Sequence, residues 1–213
     1  MNYLQLVNKV LIRLRENEVT SVQDTPYSKL IGEFVNVVKR EVEDTWDWSA
    51  LRTTIVATTV SGTYSYSLGG SGVRTKVIDV INDTSNYILS YQTTTWFNQM
   101  FLAATSQEAA PFYWNLNGLD VNGDSVVDLY PIPDGVYNIN FNVVKPQIDL
   151  ENDSDSILVP YQIVIEGALS RAISERGDDG GYTEQEARYN RILSDYIAID
   201  AGNRPDETIW YAA

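Results

Sequence analysis

The run 136-VYNINFNVV-144 decides how the rest of the chain is read. Tyr137, Ile139, Phe141 and Val143 alternate with Asn138, Asn140 and Asn142, the period of two required by a strand with one buried and one wet face. Wound into a helix, the same four apolar side chains would scatter around the circumference. Back from this strand toward residue 51 the chain stays rich in Thr, Val, Ile, Tyr, Asn and Gly, the residues of strands and turns. Thr53 to Val60 reads as one strand, Ser61-Gly62 as its turn, 63-TYSYSL-68 as a second strand and Val73 to Ile81 as a third. Gly69, Gly70 and Gly72 have neither the following helix nor the lysine of a phosphate-cradling loop, so they read as turn residues. Phe112 to Leu116 and 125-SVVDLYPI-132 add strand patterns. Within this region 94-TTWFNQMFLAAT-105 breaks the pattern, because Trp96, Phe97, Met100 and Phe101 gather on one side of a helix that would cap a sheet.

On both flanks the period becomes helical. Residues 3 to 16 carry Leu4, Val7, Leu11 and Leu14 at helix spacing. Thr25-Pro26 opens a second helix, a capping hydroxyl followed by a proline whose missing N–H costs nothing in the first turn. Its stripe Ile31, Val35, Val38 and Val42 lies beside Leu30, Phe34 and Val37, and so wide a face predicts burial on more than one side. Trp46 and Trp48 end it, as indoles that anchor a junction between layers and each need a hydrogen-bond acceptor. A stacking platform for sugars or bases is the alternative, with only Arg52 as a nearby cation. Past the acidic linker 149-DLENDSDS-156, Pro160 precedes a helix bearing Ile163, Val164, Gly167, Ala168 and Ala172, whose small residues admit another helix closely. Gly177 stands as its stop, 178-DDGG-181 as a loop, and Thr183 to Glu186 as the capping box of a last helix with Tyr189, Leu193, Tyr196 and Ile197, closing at Gly202. The fold class expected is α+β: a helical domain drawn from both chain ends (1–50 and 151–202), an inserted antiparallel β domain (51–150), and a C-terminal tail (203–213).

Composition removes much of chemistry. The 213 residues include no cysteine and no histidine, so disulfides, thiolate nucleophiles, imidazole bases and nearly all zinc or iron sites are out of reach. Glu41 with Glu43 and Asp44, and Asp178 with Asp179, are the paired acids, yet neither pair is fixed in a pocket by its surroundings. No enzyme and no cofactor is expected. A net charge of −14 opposes tight binding to nucleic acid phosphates and favours passage of DNA without adhesion, or solubility alone. The start lacks a signal peptide's pattern and no apolar run reaches membrane-helix length, which predicts a soluble protein made in the cytoplasm.

One segment imitates a metal site. In 120-DVNGDSVVDLYPIPDG-135 the residues Asp120, Asn122, Asp124 and Asp128 fall at positions one, three, five and nine of a calcium loop. Position six is Ser125 where glycine is wanted, position twelve is Pro131 where a bidentate Glu is wanted, and a strand pattern follows in place of a helix. The competing reading is a β-hairpin turning at Asn122-Gly123.

The order of these pieces resembles a known family. The run LYPIPDGVYNINFNVVKP, an acidic stretch, and then 157-ILVPYQIVIEGALSRAISERGDD-179 are similar to the head-to-tail adaptor proteins of short-tailed bacteriophages, the tail-tubular or gatekeeper type. The Trp-rich exit of the second helix fits as well, and the resemblance spans nearly the whole chain. It implies a virion protein of the neck, synthesised in the bacterial host. It further implies a ring, commonly of twelve copies, that joins the portal protein to the tail nozzle protein around the DNA path, with no catalytic residues and no membrane. Two other readings stay open: another tail-completion or nozzle component, and a calcium-dependent carbohydrate-binding module. The tail 203-NRPDETIWYAA-213 ends in Ile209, Trp210 and Tyr211, which predicts docking on a ring neighbour or the portal, or else a return onto the chain's own helices.

Overall fold

The computed structural model describes residues 1–102, 107–177 and 179–203. The chain divides into two compact units, Met1–Leu51 with Pro146–Ala213, and Arg52–Lys145. The first is helical and the second is built on strands, so the protein is α+β.

In the helical unit α1 spans Tyr3–Arg13, α2 Pro26–Thr45, α4 Tyr161–Glu175 and α5 Asp179–Gly202. Asn2 and Gln5 close the start of α1 by a reciprocal capping box, and Thr25 does the same for α2 with Ser28. Helix α1 stops at Arg13, short of residue 16, and buries Tyr3, Leu6, Val7, Val10 and Leu11. On α2 the stripe Ile31, Val35, Val38 and Val42 is buried as its spacing requires, while Leu30, Phe34 and Val37 are only half-buried. The second buried side of α2 is instead polar. Asn36, Lys39 and Glu43 lie inside, and with Arg40 they grip residues 147–150. Asn36 donates to the Leu150 carbonyl at 3.0 Å and accepts from its N–H at 2.9 Å. The Lys39 ammonium bonds Glu43 at 3.0 Å and the Gln147 carbonyl at 2.8 Å, and Arg40 pairs with Asp149 at 2.7 Å. The acidic stretch is therefore a packed strap. Leu150 is buried, the Asp153 side chain accepts from the Val22 N–H, and Asp155 turns the chain by accepting from the Glu151 and Asn152 N–H groups.

Trp48 is buried and donates to the Val42 carbonyl, and Trp46 donates to Asp200, so both indoles find the acceptor they need. Helix α4 starts after Pro160 and ends before Gly177, whose φ of 71° is the left-handed stop expected there. The last helix corrects the sequence. It begins at Asp179, takes in Gly180 and Gly181, and leaves Thr183 to Glu186 within the helix and without a capping role. The helix forms despite the disfavour of roughly 1 kcal/mol that each glycine carries in it, and it makes contacts with α4. One of them runs from the Gln185 amide to the Glu166 carbonyl and carboxylate.

The β unit contains two four-stranded sheets. One orders β1 (Arg52–Thr58), β8 (Asn138–Val144), β3 (Lys76–Asn82) and β4 (Tyr87–Ile88). The other orders β2 (Ser65–Ser67), β7 (Ser125–Tyr130), β6 (Tyr113–Leu119) and β5 (Ser90–Tyr91). All pairs are antiparallel except β5 with β6, which run parallel, a departure from the wholly antiparallel expectation. Ile139, Phe141 and Val143 of β8 meet Trp114, Val127 and Leu129 in one core, with Trp114 edge-on to Phe141. Helix α3 (Thr94–Leu102) covers the second sheet through Phe97, which is buried, and Trp96, whose ring meets Tyr113 and Tyr130.

Gly167 tests the helical packing. A Cβ there would lie 2.6 Å from the Val38 Cγ1 and 2.9 Å from the Tyr189 ring. Alanine should add about 0.5–1 kcal/mol of helix propensity, yet overpacking costs roughly 1–3 kcal/mol, and stiff, buried Val38 cannot step aside. Gly167→Ala is expected to lower stability by about 1 kcal/mol, read from the urea midpoint; a gain would show that the helices part freely.

Candidate functional site

The stretch that imitates a calcium loop is a hairpin connection. β6 and β7 pair as far as Leu119 and Ser125, so the connection is residues 120–124 and not a two-residue turn. Gly123 has a φ of 82°, which explains the glycine. The Asp120 carboxylate accepts from the Asn122 N–H at 2.8 Å, the Asp124 N–H at 2.9 Å and the Ser67 hydroxyl at 2.7 Å. The Ser67 hydroxyl and then the backbone donors hold the Asp120 carboxyl below its ordinary range. The Asp124 carboxylate accepts from the Gly70 and Gly72 N–H groups, each at 2.9 Å. The glycine loop therefore does cradle an anion, and the anion belongs to its own chain.

Asp128 stands apart from this arrangement. It lies on β7, opposite Ser65 and Asn115, and is only 4% exposed. Burial pushes its carboxyl above the usual range against the hydrogen bonds of Ser65 and Asn117, and its Oδ1 is buried without a hydrogen-bond partner. No group of three or more acidic side chains among the described residues is placed to hold a metal ion. The tip is apolar on its outside, with Val121 fully exposed and Leu119 and Val73 largely so.

The other acids named from the sequence do not form a site. Glu41 pairs with Arg171, Glu43 is buried against Lys39, and Asp44 is exposed. Asp178 lies outside the described residues, and Asp179 is the first residue of α5. Sequence reading missed Glu166, a fully buried acid that joins α1, α4 and α5 through Arg13 at 2.7 Å, Arg188 at 3.2 Å and the Gln185 amide at 2.7 Å. Burial would raise its carboxyl, but Arg13, Gln185 and Arg188 outweigh burial and hold it below the usual range. Its signal was a lone acid within an apolar helical stripe.

A groove in the helical unit has a volume of about 320 Å³. Its floor is Trp48, Ile157 and Val159, all buried, and its rim includes Leu158, Tyr161 and Ile199, exposed by 52%, 47% and 60%. Asn203, the last described residue, also lines it. Ile209, Trp210 and Tyr211 lie outside the described residues.

Compared with known proteins, the chain matches a family model described as SU10 adaptor protein over residues 1–208. No curated protein matches it.

Two outcomes test the hairpin. A carboxyl held below its unfolded value stabilises above that value and loses its contribution as pH falls through the folded one. The Asn122 and Asp124 amide resonances should therefore hold steady near neutrality and move only below about pH 3.9, while calcium at about 1 mM leaves them in place. Asp128 works in the opposite sense, because a raised carboxyl weakens the fold once pH climbs past its unfolded value. Asp128→Asn should raise the urea midpoint at about pH 7 and leave it unchanged at about pH 3; equal effects at both would contradict the burial argument.

Proposed function

The chain belongs to the SU10 adaptor protein family, a phage head-to-tail adaptor family, and from this premise we propose that it is a structural neck protein that forms a ring between portal and tail nozzle. The single observation carrying the reading is the family match across residues 1–208, which takes in both compact units. On this reading the portal and nozzle proteins are its partners, the mature location is the virion neck, and the genome passes through the ring. Its work is mechanical joining, without catalysis.

Charge supports the passage of DNA. The β unit carries seven acidic residues against four basic ones, so most of the net −14 lies in the helical unit. A surface so short of cations cannot neutralise phosphates and leaves DNA free to slide. No helix among the described residues is long and apolar enough to cross a membrane. The exposed apolar residues of the hairpin tip offer surface for neighbours. Copy number follows the family resemblance, with twelve expected.

Mixing the purified chain with its portal protein tests the reading. A ring of chain density on one end of the portal in electron micrographs, with a mass matching about twelve added copies, is the expected result. A chain that ignores the portal but binds the assembled tail alone would instead be a tail-completion or nozzle component. A monomer stabilised by calcium and retained on a carbohydrate resin would be a binding module.

A further inference from the structure

We infer that the groove formed by Trp48, residues 157–161 and Ile199 is the docking site for this chain's own C-terminal segment 204-RPDETIWYAA-213, seated through Trp210 and Tyr211. Three observations meet there. The groove is largely apolar, and Leu158, Tyr161 and Ile199 of its lining are exposed. Its volume of about 320 Å³ suits one or two large side chains, at the small end of ligand pockets. The chain also leaves α5 at the groove itself, because Asn203 is part of its lining.

Distance favours the chain's own segment over any other occupant. Trp210 lies seven residues beyond Asn203, and seven residues of chain reach at most about 24 Å when fully extended. A tether this short gives an effective concentration on the order of 1 mM. A second copy at about 1 μM competes at a thousandfold disadvantage. At the polar edge of the groove Asp200 already accepts from the Trp46 indole and the Ser49 N–H. The groove therefore asks for apolar groups, and Ile209, Trp210 and Tyr211 are the apolar groups within reach.

The test titrates a labelled peptide of residues 204–213 into two full-length chains, wild type and W210A/Y211A. The variant has an empty groove and should bind the peptide with a Kd of about 0.1 mM, while the tethered segment of the wild type should weaken that binding about tenfold. Leu158→Asp or Ile199→Asp, each at an exposed position, should abolish binding to the W210A/Y211A chain with circular dichroism unchanged. The Ile199 methyl resonance should differ between wild type and W210A/Y211A. The inference is overturned if the peptide does not bind W210A/Y211A, if both chains bind it equally, or if neither groove variant matters. A wild-type mass that rises with concentration while that of W210A/Y211A does not would assign the groove to a neighbour's segment and overturn it as well. None of these outcomes depends on the portal, so failure here leaves the ring reading standing.

Discussion

Everything in the helical unit depends on how α2 takes hold of the chain where it comes back. One side of that helix, spaced at 36, 39, 40 and 43, presents an amide, an ammonium, a guanidinium and a carboxylate to the backbone and side chains of residues 147–150. Lys39 and Glu43 are wholly buried, so each carries a desolvation cost that the other and the Gln147 backbone offset. A hydrophobic stripe would hold the returning segment at many registers. A buried polar ladder holds it at one, because a shift by one residue leaves donors and acceptors stranded at roughly 1–3 kcal/mol apiece. With that strap fixed, Leu150 reaches the core and the chain is aimed into α4.

The same feature explains what could be read in advance. The alternation of 136–144, the Thr25-Pro26 start, the two tryptophans and the Gly177 stop all express rules of local geometry, and the structure keeps each of them. Asn36, Lys39 and Glu43 were illegible because polarity in a helix normally marks solvent, and only the tertiary partner reveals burial. The start of α5 was misplaced because a capping box is a local pattern, and the helix begins upstream of Thr183, at Asp179. The parallel pairing of β5 with β6 left no local trace, because strand direction is set by the route of the connecting chain. Of the proposed sites, the Asp-rich hairpin was legible as a hairpin, while the groove brings together residues from 48 to 203 and could not be seen along the sequence.

The resemblance of residues 120–128 to a calcium loop has a physical origin. Backbone N–H groups at a tight turn and a bound cation both call for carboxylate oxygens at alternate positions, so either solution selects much the same residues. Here the donors come from the protein: Asn122, Asp124, Gly70 and Gly72 supply N–H groups where a metal would supply charge. Asp128 shares the spacing but is buried on β7, away from that turn, and its carboxyl is raised by burial.

The pairing of β1 with β8 carries a mechanical meaning. Arg52 faces Val144, so the strand that opens the β unit and the strand that closes it begin and end side by side. Tension applied between the two linkers would open this ladder like a zipper, one hydrogen-bonded pair at a time. Tension along the strands from opposite ends would load all seven paired positions together, in shear. The unit is thus compliant at its root and stiff along its length, an anisotropy fixed by topology and untouched by the strength of any single bond.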